Sequence, residues 1–299
     1  MSNEDKPIVL ACNASGLGNK LKAVISAKRI AEREDMQPKV AWYPNNGRNT
    51  QCPYDKLFVD DLELTKQQVD SREYSQIIEK KFDTWRLVTF ADDNIPASPV
   101  SGEWHTGLLD GGYVCTELHD VHNPIDDAYN RIPQHVIDKI LPHWQSVKLH
   151  PYIIESVSKF MDTHSRLKSP EAFSLVIRSW TELPDSSINK RIFGFHTFLE
   201  EIEKRDGPFF VTSEEPVHID IIKAKYGDRC VARLEGCNIP IDPSEQYAQQ
   251  VVEGLINVLI AGNCAEMLTS PLTTYSEIGW WLTGAKAKVT KVTTEGLFT

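Results

Sequence analysis

A two-unit α/β protein is what this sequence predicts, and three observations carry the prediction. Apolar, strand-like runs alternate with amphipathic helical segments over the first forty or so residues. The same alternation returns between 172 and 283, and a helical stretch near 135–165 separates the two. A chain of 299 residues has room for both units. The expected fold class is therefore α/β, with doubly wound units at 1–148 and 149–299 whose strand ends face a cleft.

The elements follow in order. "KPIVLACN" (6–13) is continuously apolar, as a strand buried on both faces requires. Residues 19–34 place Leu21, Val24, Ile25, Ala27, Ile30 and Ala31 along one helical stripe. "KVAWY" (39–43) and "RLVTF" (86–90) read as further strands, and strand–helix–strand at this spacing implies a parallel, right-handed unit. The interval 91–133 is rich in Pro, Gly and Asp, which predicts long loops, where binding residues concentrate. "PQHVIDKILPHW" and "HPYIIESVSKFMDTH" are helical.

In the second half "AFSLVIRS" (172–179) is a strand, 190–205 a helix and "PFFVTS" (208–213) a strand. "PVHIDIIKAKYG" is a helix closed by Gly227, and "RCVARL" another strand. The stretch 244–261 carries the stripe Ala248, Val251, Val252, Leu255, Ile256, Leu259, Ile260. "AEMLTS" (265–270) is expected as the last strand and 274–283 as the last helix.

Composition narrows the function. With 41% apolar and 25% charged residues the chain is neither disordered nor fibrous, and no apolar run reaches membrane-spanning length. The start "MSNEDKPIVL" lacks the basic-then-apolar order of a signal peptide. Six cysteines form no CxxC pair, and Cys12, Cys230 and Cys264 sit in or beside apolar segments, so a reduced, cytoplasmic protein is expected. A net charge of −10 opposes general nucleic-acid binding but leaves room for a local basic site.

Polar residues gather where strands end. "SGLGNK" (15–20) lies between the first strand and the first helix, a place where Gly16 and Gly18 allow backbone N–H groups to approach an anion. It can equally be a tight connector, and it lacks the third glycine of a dinucleotide fingerprint. Arg178 ends an apolar strand. Thr212 and Ser213 end another, followed by Glu214, Glu215 and Pro216; Ser213 as a helix cap with two acids on the dipole would explain these residue types. Thr273, Thr274, Tyr275 and Ser276 open the last helix, either as caps or as hydroxyls for a pyrophosphate. Trp104, His105 and Tyr113, beside "GLLDGGY", are suited to stacking on a sugar or to loop packing.

These stretches, in this order, resemble the fucosyltransferase superfamily: the α1,6-, nodulation-factor, α1,2- and protein O-fucosyltransferases. The resemblance covers about 7–34 and most of 150–283. Gly18 and Asn19 match the family's Gly-x-x-Gly-Asn turn, with Ser15 at its first glycine. Val176–Thr181 aligns with His-x-Arg-Arg-x-Asp, keeping the first arginine as Arg178. "VTSEEP" resembles Ala-Thr-Asp-Asp-Pro, Asn257 stands at the aspartate of a later helix motif, and Thr273–Gly279 resembles Ser-Ser-Phe-Ser-x-x-Ala.

The resemblance implies a GT-B fold of two Rossmann-like domains, the first on the acceptor side with Trp104, His105 and Tyr113, the second binding the donor. It implies inverting, metal-independent transfer of fucose from GDP-fucose, without a cofactor, to a glycan hydroxyl. Arg178 would contact the donor's β-phosphate, and Gly16, Gly18, Asn19, Thr212, Ser213, Glu214, Glu215, Asn257 and Thr273–Ser276 would line the donor site. Val176, Ser179 and Thr181 depart from the motif, so another nucleotide sugar, or a non-catalytic nucleotide-sugar- or glycan-binding protein of the same fold, stays open. Independently of family, the chain has no Asp-x-Asp pair to hold a divalent ion. Glu182 and Asp185, in the loop after Arg178, are the candidate general bases or else solvated loop acids.

Overall fold

The computed structural model describes residues 8–12, 16–35, 37–42, 52–63, 85–89, 134–181, 193–233, 246–270 and 273–294. The elements are β1 (Ile8–Cys12), α1 (Leu17–Glu34), β2 (Gln37–Ala41), β3 (Trp85–Thr89), α2 (Gln134–Gln145), α3 (Pro151–Thr163) and β4 (Phe173–Ile177). Then come α4 (Phe195–Glu203), β5 (Phe209–Ser213), α5 (Pro216–Tyr226), β6 (Cys230–Val231), α6 (Gln246–Gly262), β7 (Glu266–Thr269), α7 (Thr274–Leu282) and β8 (Lys288–Lys291). Two compact units result. The first holds β1 to β3, α1, residues 52–63, most of α2 and the amino-terminal part of α6; the second holds α3 onward, with the rest of α6.

In the first unit the parallel order is β2-β1-β3. Helix α1 buries Leu21, Val24, Ile25, Ala27 and Ala31 of the stripe its sequence predicts, and Leu17 besides; the Ile30 side chain lies outside the described residues. It ends at Asp35 in the left-handed region (φ 54°), one of the few non-glycine residue types that tolerate it. Trp42, Tyr54 and Phe58 form a second buried cluster with edge-on and tilted rings 4.7–5.5 Å apart.

The second sheet is all-parallel with the order β6-β5-β4-β7-β8. Its central strand β4 is buried at every residue. Phe173, Leu175 and Ile177 face one layer with Phe198, Ile202 and Ile222 of α4 and α5. On the other face Ser174 bonds the Ala261 carbonyl of α6 (3.0 Å), and Phe210 meets Phe160 of α3 edge-on. Helices on both faces explain why these strands are continuously apolar.

Four expectations need correction. "AEMLTS" is not the last strand, because β8 adds to β7 beyond the last helix. Among its described residues, "RCVARL" contributes Cys230 and Val231 to the sheet. The helix expected from 190 begins at Phe195, after an extended Gly194. Finally, α5 is capped by Glu215, not Ser213, with Pro216 at its first position. Cys230 and Cys264 are buried free thiols, whose pKa values burial pushes up to about 11 and about 12.

Candidate functional site

In a doubly wound sheet the crevice lies at the carboxyl ends of the strands where the winding reverses. In the second unit that point is β4, flanked by β5 and β7. The three parallel strands deliver Arg178, Ser213 and Ser270 to one edge, and the Ser270 hydroxyl accepts the Arg178 backbone N–H at 2.9 Å.

The densest polar cluster of this edge converges on Glu214. Its Oε1 accepts the backbone N–H of Ser179 (2.6 Å), the Ser179 hydroxyl (2.6 Å) and the backbone N–H of Trp180 (2.7 Å). Its Oε2 accepts from the Arg178 guanidinium. Arg178 lies over the Trp180 ring, 4.9 Å from its centroid, within cation–π range. Trp180 itself takes φ 57°, a conformation that costs a bulky residue about 1–3 kcal/mol. Its indole Nε1 is buried with no hydrogen-bond partner.

The neighbouring groups are held as tightly. Glu215 accepts the Thr181 hydroxyl at 2.9 Å. Ser213 Oγ accepts the Glu215 backbone N–H (3.1 Å) and pairs with His218 Nδ1 (3.1 Å). The His218 ring stacks on Phe195 at 4.3 Å, and burial lowers its pKa against the opposing pull of Glu215 and Glu214. Thr212 is buried, and its hydroxyl bonds the Tyr275 oxygen. The Tyr275 hydroxyl in turn donates to the Gly254 carbonyl of α6. Burial raises the Tyr275 pKa above its usual range, while Thr212 and the Arg178 charge act to lower it.

Helix α7 starts at this edge. Thr273 is its cap residue but makes no side-chain cap bond, and Ser276 Oγ donates back to the Thr273 carbonyl at 3.2 Å. The first-turn N–H groups of α7 therefore have no side-chain cap. Thr274 is half-buried, and Asn257, one turn beyond Gly254 on α6, has a buried Oδ1 without a partner.

The structure thus brings Arg178, Thr212, Ser213, Glu214, Glu215 and Tyr275 together, with Thr273, Thr274 and Ser276 on the same helix as Tyr275. The cap-and-dipole account of Glu214 is overturned, because its carboxylate turns to Arg178 and the following backbone. Four participants were not among the candidate site residues read from the sequence: Ser179, Trp180, His218 and Ser270. Only Ser270 carried a signal, being the hydroxyl at the end of an apolar strand just as Arg178 is the cation there.

In the first unit, "SGLGNK" follows β1, the strand between β2 and β3, which is that sheet's own reversal point. Gly16 is the cap of α1 and makes no side-chain cap bond; Gly18 and Asn19 lie in the first turn. Lys20 is only 3% exposed, with its ammonium 4.6 Å from the Trp42 ring centroid. Trp104, His105, Tyr113, Glu182 and Asp185 lie outside the described residues. His196 is exposed in the first turn of α4. Among the described residues no three His, Cys, Asp or Glu side chains converge as a metal site, and no helix is long and apolar enough to cross a membrane.

No protein-family model matches the sequence, and no curated protein matches it either. Solved structures do. The chain superposes on the NodZ α-1,6-fucosyltransferase soaked with GDP-fucose with a TM-score of 0.55 at 13% identity, covering 93% of each chain. Fucosyltransferase NodZ from Bradyrhizobium gives 0.54 at 12% identity, over 92% of this chain and 93% of that one. A point mutant of Arabidopsis thaliana FUT1 in complex with GDP gives 0.55 at 13% identity, over 93% and 69%. At such identities the likeness speaks to architecture: this chain has the two-unit, GT-B-like α/β fold of the fucosyltransferases.

Proposed function

We propose that the protein is a GT-B glycosyltransferase that takes a nucleotide-sugar donor, GDP-fucose by preference, and passes the sugar to a glycan hydroxyl with inversion and without a metal. The observation that carries this reading is Arg178: an arginine delivered by the central strand to the reversal point of the sheet, in a fold shared with GDP-complexed structures.

In the transfer, the acceptor oxygen bonds to the anomeric carbon of the donor as the bond from that carbon to the β-phosphate oxygen breaks. The acceptor proton passes to a carboxylate, Glu182 or Asp185, and the electron pair leaves with the nucleoside diphosphate. Charge growing on the diphosphate is met by the Arg178 guanidinium and the uncapped first turn of α7. Thr212, Ser213, Glu214, Glu215, Asn257 and Thr273–Ser276 shape the donor side, within a domain at 149–299. From the 1–148 domain, Gly16, Gly18 and Asn19 serve the donor, and Trp104, His105 and Tyr113 the acceptor. The engagement of Arg178 by Glu214 favours one second reading, a protein that binds a nucleotide sugar without turning it over.

The test is calorimetry and thermal shift with GDP, UDP, dTDP and NAD, followed by GDP-fucose transfer and hydrolysis assays. Arg178→Ala is expected to fold like the parent and to lose about 1.5–3 kcal/mol of GDP affinity, the worth of a charge-assisted contact. Equal GDP affinity in the folded variant would remove Arg178 from the donor site. Binding without transfer or hydrolysis would favour the second reading.

A further inference from the structure

We infer that Glu214 is a built-in stand-in for the anionic group of the ligand: its carboxylate fills an anion pocket formed by residues 178–180, and a phosphoryl group enters by taking its place. The inference rests on the reading of this strand edge as a diphosphate site and adds to it a mode of regulation.

Three consecutive residues aim four donors at one carboxylate: two backbone N–H groups, a hydroxyl and a guanidinium. Successive backbone N–H groups in such a turn form a concave nest that suits a phosphoryl oxygen as well as a carboxylate. Glu214 belongs to neither β5 nor α5 but to the bend between them, so its side chain can swing out without breaking a ladder or a helix. The pocket is within reach of solvent, since the side chains of Arg178 and Glu214 are 24% and 19% exposed. Trp180 bears the cost of the arrangement, with its left-handed backbone and its buried, unpartnered indole N–H. A strained turn whose N–H groups are gathered by one carboxylate can relax when that carboxylate is exchanged.

Exchange makes apparent affinity depend on the fraction of molecules in which Glu214 has left the pocket. Titration of metal-free pyrophosphate into the full-length parent, Glu214→Gln and Arg178→Ala is the decisive comparison. Removing the competing charge is expected to tighten pyrophosphate binding at least about tenfold in Glu214→Gln, and to lower its thermal stability when no anion is present. Equal or weaker binding by the folded variant would overturn the inference, leaving Glu214 as a positioner of Arg178. If Glu214→Gln does not fold, Glu214→Asp, whose shorter arm strains the same contacts, carries the same expectation. Tryptophan fluorescence adds a second readout: saturating pyrophosphate should change the parent emission but not that of Trp180→Phe. A change that persists undiminished in Trp180→Phe argues against relaxation of the turn. Pyrophosphate has neither base nor sugar, so tight pyrophosphate binding without any GDP response would sink the nucleotide-sugar reading and leave the exchange standing. Failure of parent and Glu214→Gln alike to bind pyrophosphate would overturn the exchange, and the nucleotide-sugar reading would then stand or fall on the GDP titration.

Discussion

Glu266, at the opposite end of the sheet from Arg178, shows what a fully committed carboxylate looks like in this protein. It takes the Arg205 fork through two 2.8 Å bonds, the Thr290 hydroxyl at 2.9 Å and the Lys288 ammonium at 3.2 Å. Burial alone would raise its pKa; the Arg205, Thr290 and Lys288 contacts overcome that and hold it at about 2. Because the folded value lies below the unfolded one, the stabilisation is full above an unfolded pKa of about 4.3 and fades as pH falls towards about 2. Glu266→Gln is therefore expected to cost on the order of 2 kcal/mol at pH 7 while leaving nucleotide binding unchanged. Urea unfolding at several pH values checks this: the gap between parent and variant should shrink below pH 4, and a gap constant to pH 2 would contradict it. Such pairings were invisible in the sequence because the partners stand far apart in it, as Arg205 and Glu266 do, or Glu214 and Ser179. Arg178 was legible because a cation closing an apolar strand has nowhere to go but the rim.

The elements were more legible, since period and run length are local properties. Buried strands and the α1 stripe stand where the pattern puts them. Strand β8 was missed because Lys288 and Lys291 make it read as surface, although Ala287 and Val289 bury at alternate positions. A turn through Gly284 (φ 95°) and Ala285 (φ 55°) precedes it. The packing of α6 on α7 was not legible either, because it rests on missing side chains. A Cβ on Gly279 would lie 2.5 Å from the Val258 carbonyl oxygen and 2.6 Å from its Cγ2, and one on Gly262 would lie 2.6 Å from the Gly279 carbonyl oxygen. Backbone, not a flexible tip, is what it meets, so α7 must shift. Gly279→Ala should destabilise by about 1–3 kcal/mol. Because α7 also carries Tyr275, anchored on Gly254, the same substitution should weaken nucleotide binding. A melting temperature within a degree of the parent would show that the two helices part without strain.

At the scale of the whole molecule the proposed donor site raises the question of how a chain of net charge −10 would accommodate a diphosphate. Long-range electrostatics oppose the ligand, so the compensating charge has to be local and short-range. Either protein cations and helix N–H groups provide it, or a divalent ion held by carboxylates does. Among the described residues of the second unit's strand edge, two carboxylates beside Arg178 are already engaged: Glu214 with Arg178, Ser179 and Trp180, and Glu215 with Thr181. An ion recruited there would have to displace those bonds, and the sequence offers no Asp-x-Asp pair to replace them. Arg178 already stands at this edge, and the first turn of α7 has no side-chain cap. On the proposed function, transfer from the nucleotide sugar should therefore proceed in excess EDTA at a rate within about a factor of two of the untreated protein. The check is an initial-rate assay on protein dialysed against chelator, with and without added manganese or magnesium. Activity that vanishes on chelation and returns with either ion would assign the leaving-group charge to a metal, and Arg178 would be left with a binding role alone.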